Sequence, residues 1–255
     1  MLPCYDRGVI ASPIAHFVLE AAAYAIGFRA FLVLRRRRGD AIPETTRITV
    51  IAAAALGAAL GAKLLHFLID PAASIAALSD PRTFLAGKTV VGGILGALAA
   101  VELVKIAIGE KRSTGDLFVL PLCLAMAIGR VGCFLGGLAD HTHGVATSLP
   151  WGVDFGDGIP RHPTQLYEIA VVGAIALWAS RRVPAREGDL FKGFLLVYLS
   201  WRFAIEFLKP EPRLYLGLSA IQVAALVALA IYAPHAPRVF TASVPARPRD
   251  TVQSA

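Results

Sequence analysis

The sequence predicts an all-α polytopic integral membrane protein of about seven transmembrane helices, on three observations. Apolar residues make up 56% of the 255-residue chain. The mean hydropathy is +0.62, far above that of a soluble domain. The charges gather between long apolar runs instead of alternating with them, and the runs approach the length, about 20 residues, that crosses roughly 30 Å of hydrocarbon as a helix.

Residues 1–14 lack the charged start, short apolar core and small-residue cleavage site of a removable signal, so the first span is expected to be retained. The spans fall at about 15–34, 48–69, 89–108, 117–137, 164–180, 191–208 and 217–233, the fifth being short. Between the fourth and fifth lies a polar loop, 138–163, longer than the other loops. The tail 234–255 is rich in proline, arginine, serine and threonine and reads as disordered. The organisation expected is thus a 1–14 segment, one membrane domain over 15–233, and a tail.

Orientation follows from the basic residues of the loops. One set carries Arg35 to Arg38, Arg47, Lys111, Arg112, Arg181, Arg182, Arg186, Arg238, Arg247 and Arg249. The other set and the N-terminus hold Arg7, Arg82, Lys88, Arg161, Lys209 and Arg213. The N-terminus is therefore expected outside and the C-terminus inside. The net charge of +7 comes largely from that inside excess, which suits an anionic leaflet. A nucleic-acid partner would need a basic folded domain, and the spans leave no room for one.

Cys4, Cys123 and Cys133 show no metal-ligand spacing, and Cys123 reads as a small buried apolar residue. Asp140, His141 and His143 form a weak metal pattern with no third ligand fixed by spacing, so no metal is expected.

Several polar residues interrupt the spans. Arg130 sits in the glycine-rich run 128–137. A cation in a span costs about 2.5–3.5 kcal/mol at the bilayer centre, so it either snorkels to the interface or faces an interior anion. Glu102 and Lys105, three apart, read as a helical ion pair. Lys63 and His66, one turn apart, suit a packed polar contact as well as a cavity wall. Arg202 and Glu206, four apart in the sixth span, read either as a structural pair or as part of an anion site shared with Arg130. Past the 138–163 loop, His162-Pro-Thr-Gln-Leu-Tyr-Glu168 reads as a helix entry that carries more polar groups than an entry needs.

With these residues in view the chain resembles the prolipoprotein diacylglyceryl transferase family. The resemblance rests on Tyr24-Ala-Ile-Gly-Phe28, Gly61-Ala-Lys-Leu-Leu65, Gly129-Arg-Val-Gly-Cys-Phe134 and Arg202-Phe-Ala-Ile-Glu-Phe207. Gly87-Lys-Thr-Val-Val-Gly-Gly93, the 162–168 segment and Leu218-Ser-Ala-Ile-Gln222 follow in the expected order, so that the match runs from about 15 to 232. The resemblance implies a multi-pass protein of the bacterial inner membrane with a periplasmic N-terminus and a cytoplasmic C-terminus. It also implies an enzyme of lipoprotein biosynthesis that moves a diacylglyceryl group from phosphatidylglycerol to the lipobox cysteine of a prolipoprotein signal peptide, releasing glycerol phosphate. The partners implied are those two substrates and membrane lipid, and no cofactor is implied.

Residue by residue, the resemblance makes Tyr24, Arg202 and Glu206 catalytic and places Arg130, Gly132 and Gly144 at the lipid phosphate. Lys63, His141, His143 and His162 are further candidates. The chain departs from the family pattern in having Val91 where a histidine is usual, Cys133 in place of an asparagine and Leu138 in place of an acidic residue. The base is therefore left open among a loop histidine, Glu206 and the lipid's own phosphate. The other reading is a divergent paralogue that binds or transports an anionic lipid, or modifies another acceptor.

Overall fold

The structure, a computed structural model, describes residues 13–79, 87–241 and 244–245. Cys4, Arg7, Arg82, Arg247 and Arg249 lie outside them. The helices are α1 (Pro13–Arg38), α2 (Glu44–Ile69), α3 (Pro71–Ala76), α4 (Val90–Ile108), α5 (Val119–Gly136), α6 (Thr164–Ser180), α7 (Asp189–Ile205), α8 (Ala220–Tyr232) and α9 (Ala236–Thr241). Five stretches are long and apolar enough to cross a membrane: Ile14–Arg38, Glu44–Ile69, Val90–Ile108, Asp116–Asp140 and Ala220–Thr241. Thr164–Ser180 is apolar but 17 residues long. The protein is thus all-helical and polytopic.

The expected spans coincide with α1, α2, α4, α5, α6, α7 and α8 to within a few residues, but the tail does not stay disordered from 234. Residues 236–241 form α9, Val239 is fully buried, and Arg238 reaches Asp189 at 2.7 Å. Residues 244–245 pair with 182–183 as a two-residue antiparallel ladder. An apolar valine and an arginine with a buried carboxylate partner outweigh the prolines around them.

Helix α1 packs on α5, α2 on α4, α5 on α6 and α7 on α8. Phe194, Leu195, Tyr198 and Leu199 of α7 are buried at the centre of the apolar core, together with Val119, Cys123, Val172 and Ala225. The closest approach is between α2 and α4. A Cβ on Gly61 would lie 2.7 Å from the Cα of Gly96, and one on Gly57 would run into the Gly96 carbonyl oxygen. In a bilayer, where apolar burial between helices contributes little, such small-residue seams let backbones pack directly.

Polar clamps fix the two ends. At the arginine-rich end the Asp40 carboxylate binds Arg35 and Arg47, and Arg47 also donates to the Thr114 carbonyl at 3.1 Å. Burial alone would raise the Asp40 carboxyl, but the two guanidiniums and the Ile42 backbone N–H bring it down to about 2. At the other end α8 starts in a capping box, with Gln222 N–H donating to Ser219 Oγ at 3.2 Å and Ser219 N–H to Gln222 Oε1 at 3.0 Å. Most of the polar residues of the 138–163 loop serve the loop itself. Asp154 Oδ1 accepts from the backbone N–H groups of Gly156, Asp157 and Gly158, and Asp157 pairs with Arg161.

Candidate active site

Helix direction decides which polar residues meet. The C-terminal ends of α5 and α7 and the N-terminal starts of α1, α6 and α8 lie at the same end of the bundle, beside the 138–163 loop. Arg130 from α5, Glu168 from α6 and Tyr198 and Arg202 from α7 therefore converge. Arg130 Nε lies 3.0 Å from Glu168 Oε1 and Arg202 Nη1 lies 3.4 Å from Glu168 Oε2. The Tyr198 hydroxyl donates to Glu168 Oε1 at 2.8 Å. Arg202 Nη2 then donates to Glu206 Oε2 at 2.9 Å, and the Ser219 hydroxyl to Glu206 Oε1 at 3.4 Å. All six side chains are buried.

Arg130 thus does not snorkel; it faces a carboxylate, as an interior cation must. The expected Arg202–Glu206 pair is present, and it is also one link in a chain that runs from α5 to the cap of α8. Lys209, just past α7, is buried and shares the electrostatic field of Arg202, Arg130, Glu168 and Glu206. Burial first, and the two arginines after it, push its ammonium down to about 8. Three buried cations therefore meet two buried carboxylates, leaving one positive charge in excess. Glu211 stands at the rim, its carboxyl raised chiefly by burial. Arg202 Nε and Gln165 Oε1 are enclosed without a hydrogen-bond partner among the protein atoms.

The other candidates lie apart from this cluster. Tyr24, expected to be catalytic, is exposed on α1, and its hydroxyl donates to Glu20 Oε1 at 3.3 Å. Glu20 also pairs with Lys88. Lys63 Nζ donates to the Gly87 carbonyl at 3.3 Å, and the His66 ring presses on Gly87. Both contacts are to Gly87, in the segment that also carries Lys88. Glu102 and Lys105 form the expected pair at 3.0 Å.

Gly132 and Gly144 are places of close approach. A Cβ on Gly132 would meet Leu19 Cβ at 3.1 Å, and one on Gly144 would meet the Leu208 carbonyl oxygen at 2.9 Å. Gly144 N–H donates to the His162 carbonyl and Val145 N–H to that of Leu208, which stitches the loop to the end of α7. His143 Nδ1 faces its neighbour's carbonyl, Gly144 O, at 3.0 Å. His162 Nδ1 faces the Tyr167 hydroxyl at 3.3 Å, and His141 holds a left-handed turn with φ 53°. Val91 is buried in the core and offers no polar atom.

Glu168, Tyr198, Lys209 and Ser219 are the members of the site that sequence reasoning left unassigned. Tyr198, Arg202 and Glu206 recur every four residues, a polar stripe on one helix face that could have revealed the tyrosine. An apolar groove of about 560 Å³ adjoins the cluster, with Leu65, Leu68, Leu95, Leu98 and Val223 in its walls. Ala220, the residue after Ser219, lines it too, and the groove runs from there along α8 to Tyr232 and Glu102.

Comparison with known proteins fits this arrangement. The family model described as prolipoprotein diacylglyceryl transferase matches residues 16–235. A phosphatidylglycerol–prolipoprotein diacylglyceryl transferase of Geobacter sulfurreducens is 32% identical over 215 residues, covering 77% of this chain and 79% of that protein. One from Bordetella bronchiseptica is 34% identical over 218 residues, with the same coverage of each chain. One from Solidesulfovibrio magneticus is 32% identical over 228 residues, covering 82% of this chain and 83% of its own. The match takes in α1 to α8 and every residue of the buried cluster, and by it the chain belongs to the prolipoprotein diacylglyceryl transferase family.

Proposed function

We propose that this chain is a transferase of lipoprotein biosynthesis. It moves the diacylglyceryl group of phosphatidylglycerol to the thiol of a lipobox cysteine in a prolipoprotein signal peptide and releases glycerol phosphate. The observation that carries this reading is the buried cluster of Arg130, Arg202 and Lys209 around Glu168 and Glu206, with its one surplus positive charge. A phosphodiester monoanion balances that charge. Glycerol phosphate gains negative charge as it leaves, so the same guanidiniums stabilise the transition state more than the ground state. Glu206 and Glu168 orient Arg202, and Glu168 orients Arg130. The adjoining apolar groove suits an acyl chain whose headgroup lies at Glu206 and Ser219.

In this reading the chain crosses the bacterial inner membrane seven times, α6 and α7 included. The N-terminus, the 138–163 loop and the site face the periplasm, and the C-terminus faces the cytoplasm. The loop charges support that orientation. Residues 15–233 are the membrane domain, and 1–14 and the tail are appendages to it.

The decisive experiment incubates the purified full chain with phosphatidylglycerol and a lipobox peptide, with mass spectrometry of the peptide and assay of glycerol phosphate. Thioether-linked diacylglyceryl peptide and equimolar glycerol phosphate are expected. Lipid binding with no product would overturn the transferase reading and leave the anionic-lipid binder.

Lys209 gives the site a pH dependence of defined sign. Its charged form attracts the phosphate, and that form dominates below about pH 8. Affinity for phosphatidylglycerol is therefore expected to be full at neutral pH and to fall about tenfold by pH 10, the equivalent of roughly one unit of pKa coupling. Calorimetric titration across that range checks it. Lys209→Arg, which stays charged, should flatten the curve; an unchanged slope would place Lys209 outside the lipid's field.

A further inference from the structure

Displacing glycerol phosphate with a thiol requires the thiol's proton to go elsewhere, because a cysteine with a pKa of about 8.5 is mostly protonated at neutral pH. The carboxylates of the arginine cluster are poorly placed to take it. Glu168 is held by Arg130, Arg202 and Tyr198, and Glu206 by Arg202 and Ser219. A second polar group stands beside them. His16, in the first turn of α1, lies between two carboxylates, with Nδ1 3.1 Å from Asp140 Oδ1 and Nε2 3.7 Å from Glu20 Oε2. Nδ1 is enclosed and has no aligned hydrogen-bond partner, while the ring as a whole is 30% exposed and so open to a substrate.

The surroundings of His16 are built. The Thr142 hydroxyl donates to Asp140 Oδ2, and Gln165 Nε2 donates to Thr142 Oγ1 at 3.1 Å. The aspartate is thus oriented from behind by the loop and by the first turn of α6. Glu20 is engaged by Lys88 and the Tyr24 hydroxyl. Two glycines make room for the pair: a Cβ on Gly132 would lie 3.3 Å from the His16 carbonyl oxygen, and one on Gly136 would lie 3.1 Å from Asp140 Cβ. Cys133 joins this group to the arginines. Its Sγ is 3.7 Å from Arg130 Nη1; that sulfur, a His16 ring nitrogen and an Asp140 oxygen lie within 4.8 Å of one another. The imidazole is one side chain away from a guanidinium assigned to the phosphate.

We propose that His16, positioned by Asp140, is the general base that takes the acceptor thiol's proton, an inference that rests on the transferase reading above. Asp140 holds the Nδ1 side and stabilises the imidazolium, leaving Nε2 to accept the proton. The thiolate then forms a C–S bond to the glycerol carbon as the C–O bond to phosphate breaks, the electron pair leaving with the phosphate. The glycerol phosphate dianion takes the proton from the imidazolium, which returns His16 to its starting form. The groups that face His16 are Asp140, Glu20 and Cys133, with Lys88 and Tyr24 beyond Glu20 and Arg130 beyond Cys133.

The test measures single-turnover rates for the full chain, His16→Gln and Asp140→Asn from pH 6.5 to 9.5, with phosphatidylglycerol affinity measured separately. His16→Gln should slow product formation about 100-fold at pH 7, the lower range for a lost general base, and leave lipid affinity within twofold. The defect should shrink as pH passes the peptide thiol's own pKa, because the acceptor then ionises unaided. Asp140→Asn should lose less and shift the acid limb of the profile. His16→Ala supplied with imidazole should recover part of the rate, which a merely misfolded protein would not do. An active wild type with His16→Gln within twofold of it, or with an equal defect at every pH, would overturn the base assignment alone. A wild type that makes no product would overturn the transferase reading and this inference with it.

Discussion

Glu168→Ala is expected to lower the melting temperature in detergent by roughly 10 °C. The carboxylate lies between Arg130 and Arg202 and accepts from Tyr198, with Lys209 also in its field. Without it Arg130 loses its carboxylate and Arg202 keeps only Glu206, so that buried like charges face one another under-compensated. Breaking a buried pair by removing one partner costs about 3–5 kcal/mol, and a chain of this size loses roughly 2–4 °C per kcal/mol. Phosphatidylglycerol brings a phosphate charge to the same cations, so it should raise the melting temperature of the variant more than that of the wild type. Thermal melts followed by intrinsic fluorescence, with and without the lipid, check both halves. A variant that melts with the wild type would mean that another group neutralises the arginines.

Arg130→Lys is expected to reduce turnover by about 10²–10³-fold, the usual loss when one preorganised donor to a developing anion is removed, while the fold survives. The planar guanidinium places Nε on Glu168 and points Nη1 toward Cys133 and the His16 side of the cavity. It can hold the carboxylate and a phosphate at once. An ammonium is a single point of charge and serves one or the other. Initial rates of glycerol phosphate release measure the loss, and a melting temperature within a few degrees of the wild type shows that Glu168 is still paired. Rates within threefold of the wild type would remove Arg130 from the phosphate.

Helix positions were legible because long apolar runs stand out from the charged segments between them, and even α6, only 17 residues long, was among them. Arg130, Arg202 and Glu206 were legible because charge in an apolar segment needs an explanation. The common partner of the two arginines was not assigned. Glu168 stood out only as one of several polar groups in excess at a helix entry, and only the packing of α5, α6 and α7 brings it between two arginines. Tyr198 reads as one more aromatic in an apolar run until its hydroxyl finds Glu168. His16 and Asp140 are 124 positions apart, a separation that spacing rules cannot bridge, and the approach of α1 to Gly132 and Gly136 closes it. The first part of the tail was misread for a related reason: its composition is that of a disordered segment, but Val239 is fully buried beside Gly193 of α7, while residues 246–255 lie outside the described residues.

The glycine seam between α2 and α4 has a mechanical consequence. Where Gly61 and Gly96 bring one backbone against another, there are no intervening side chains to change rotamer, and neither helix can slide or roll without steric collision. The two helices therefore behave as one stiff plank. Any rearrangement that admits a lipid or releases a lipidated peptide has to carry α2 and α4 together as a unit.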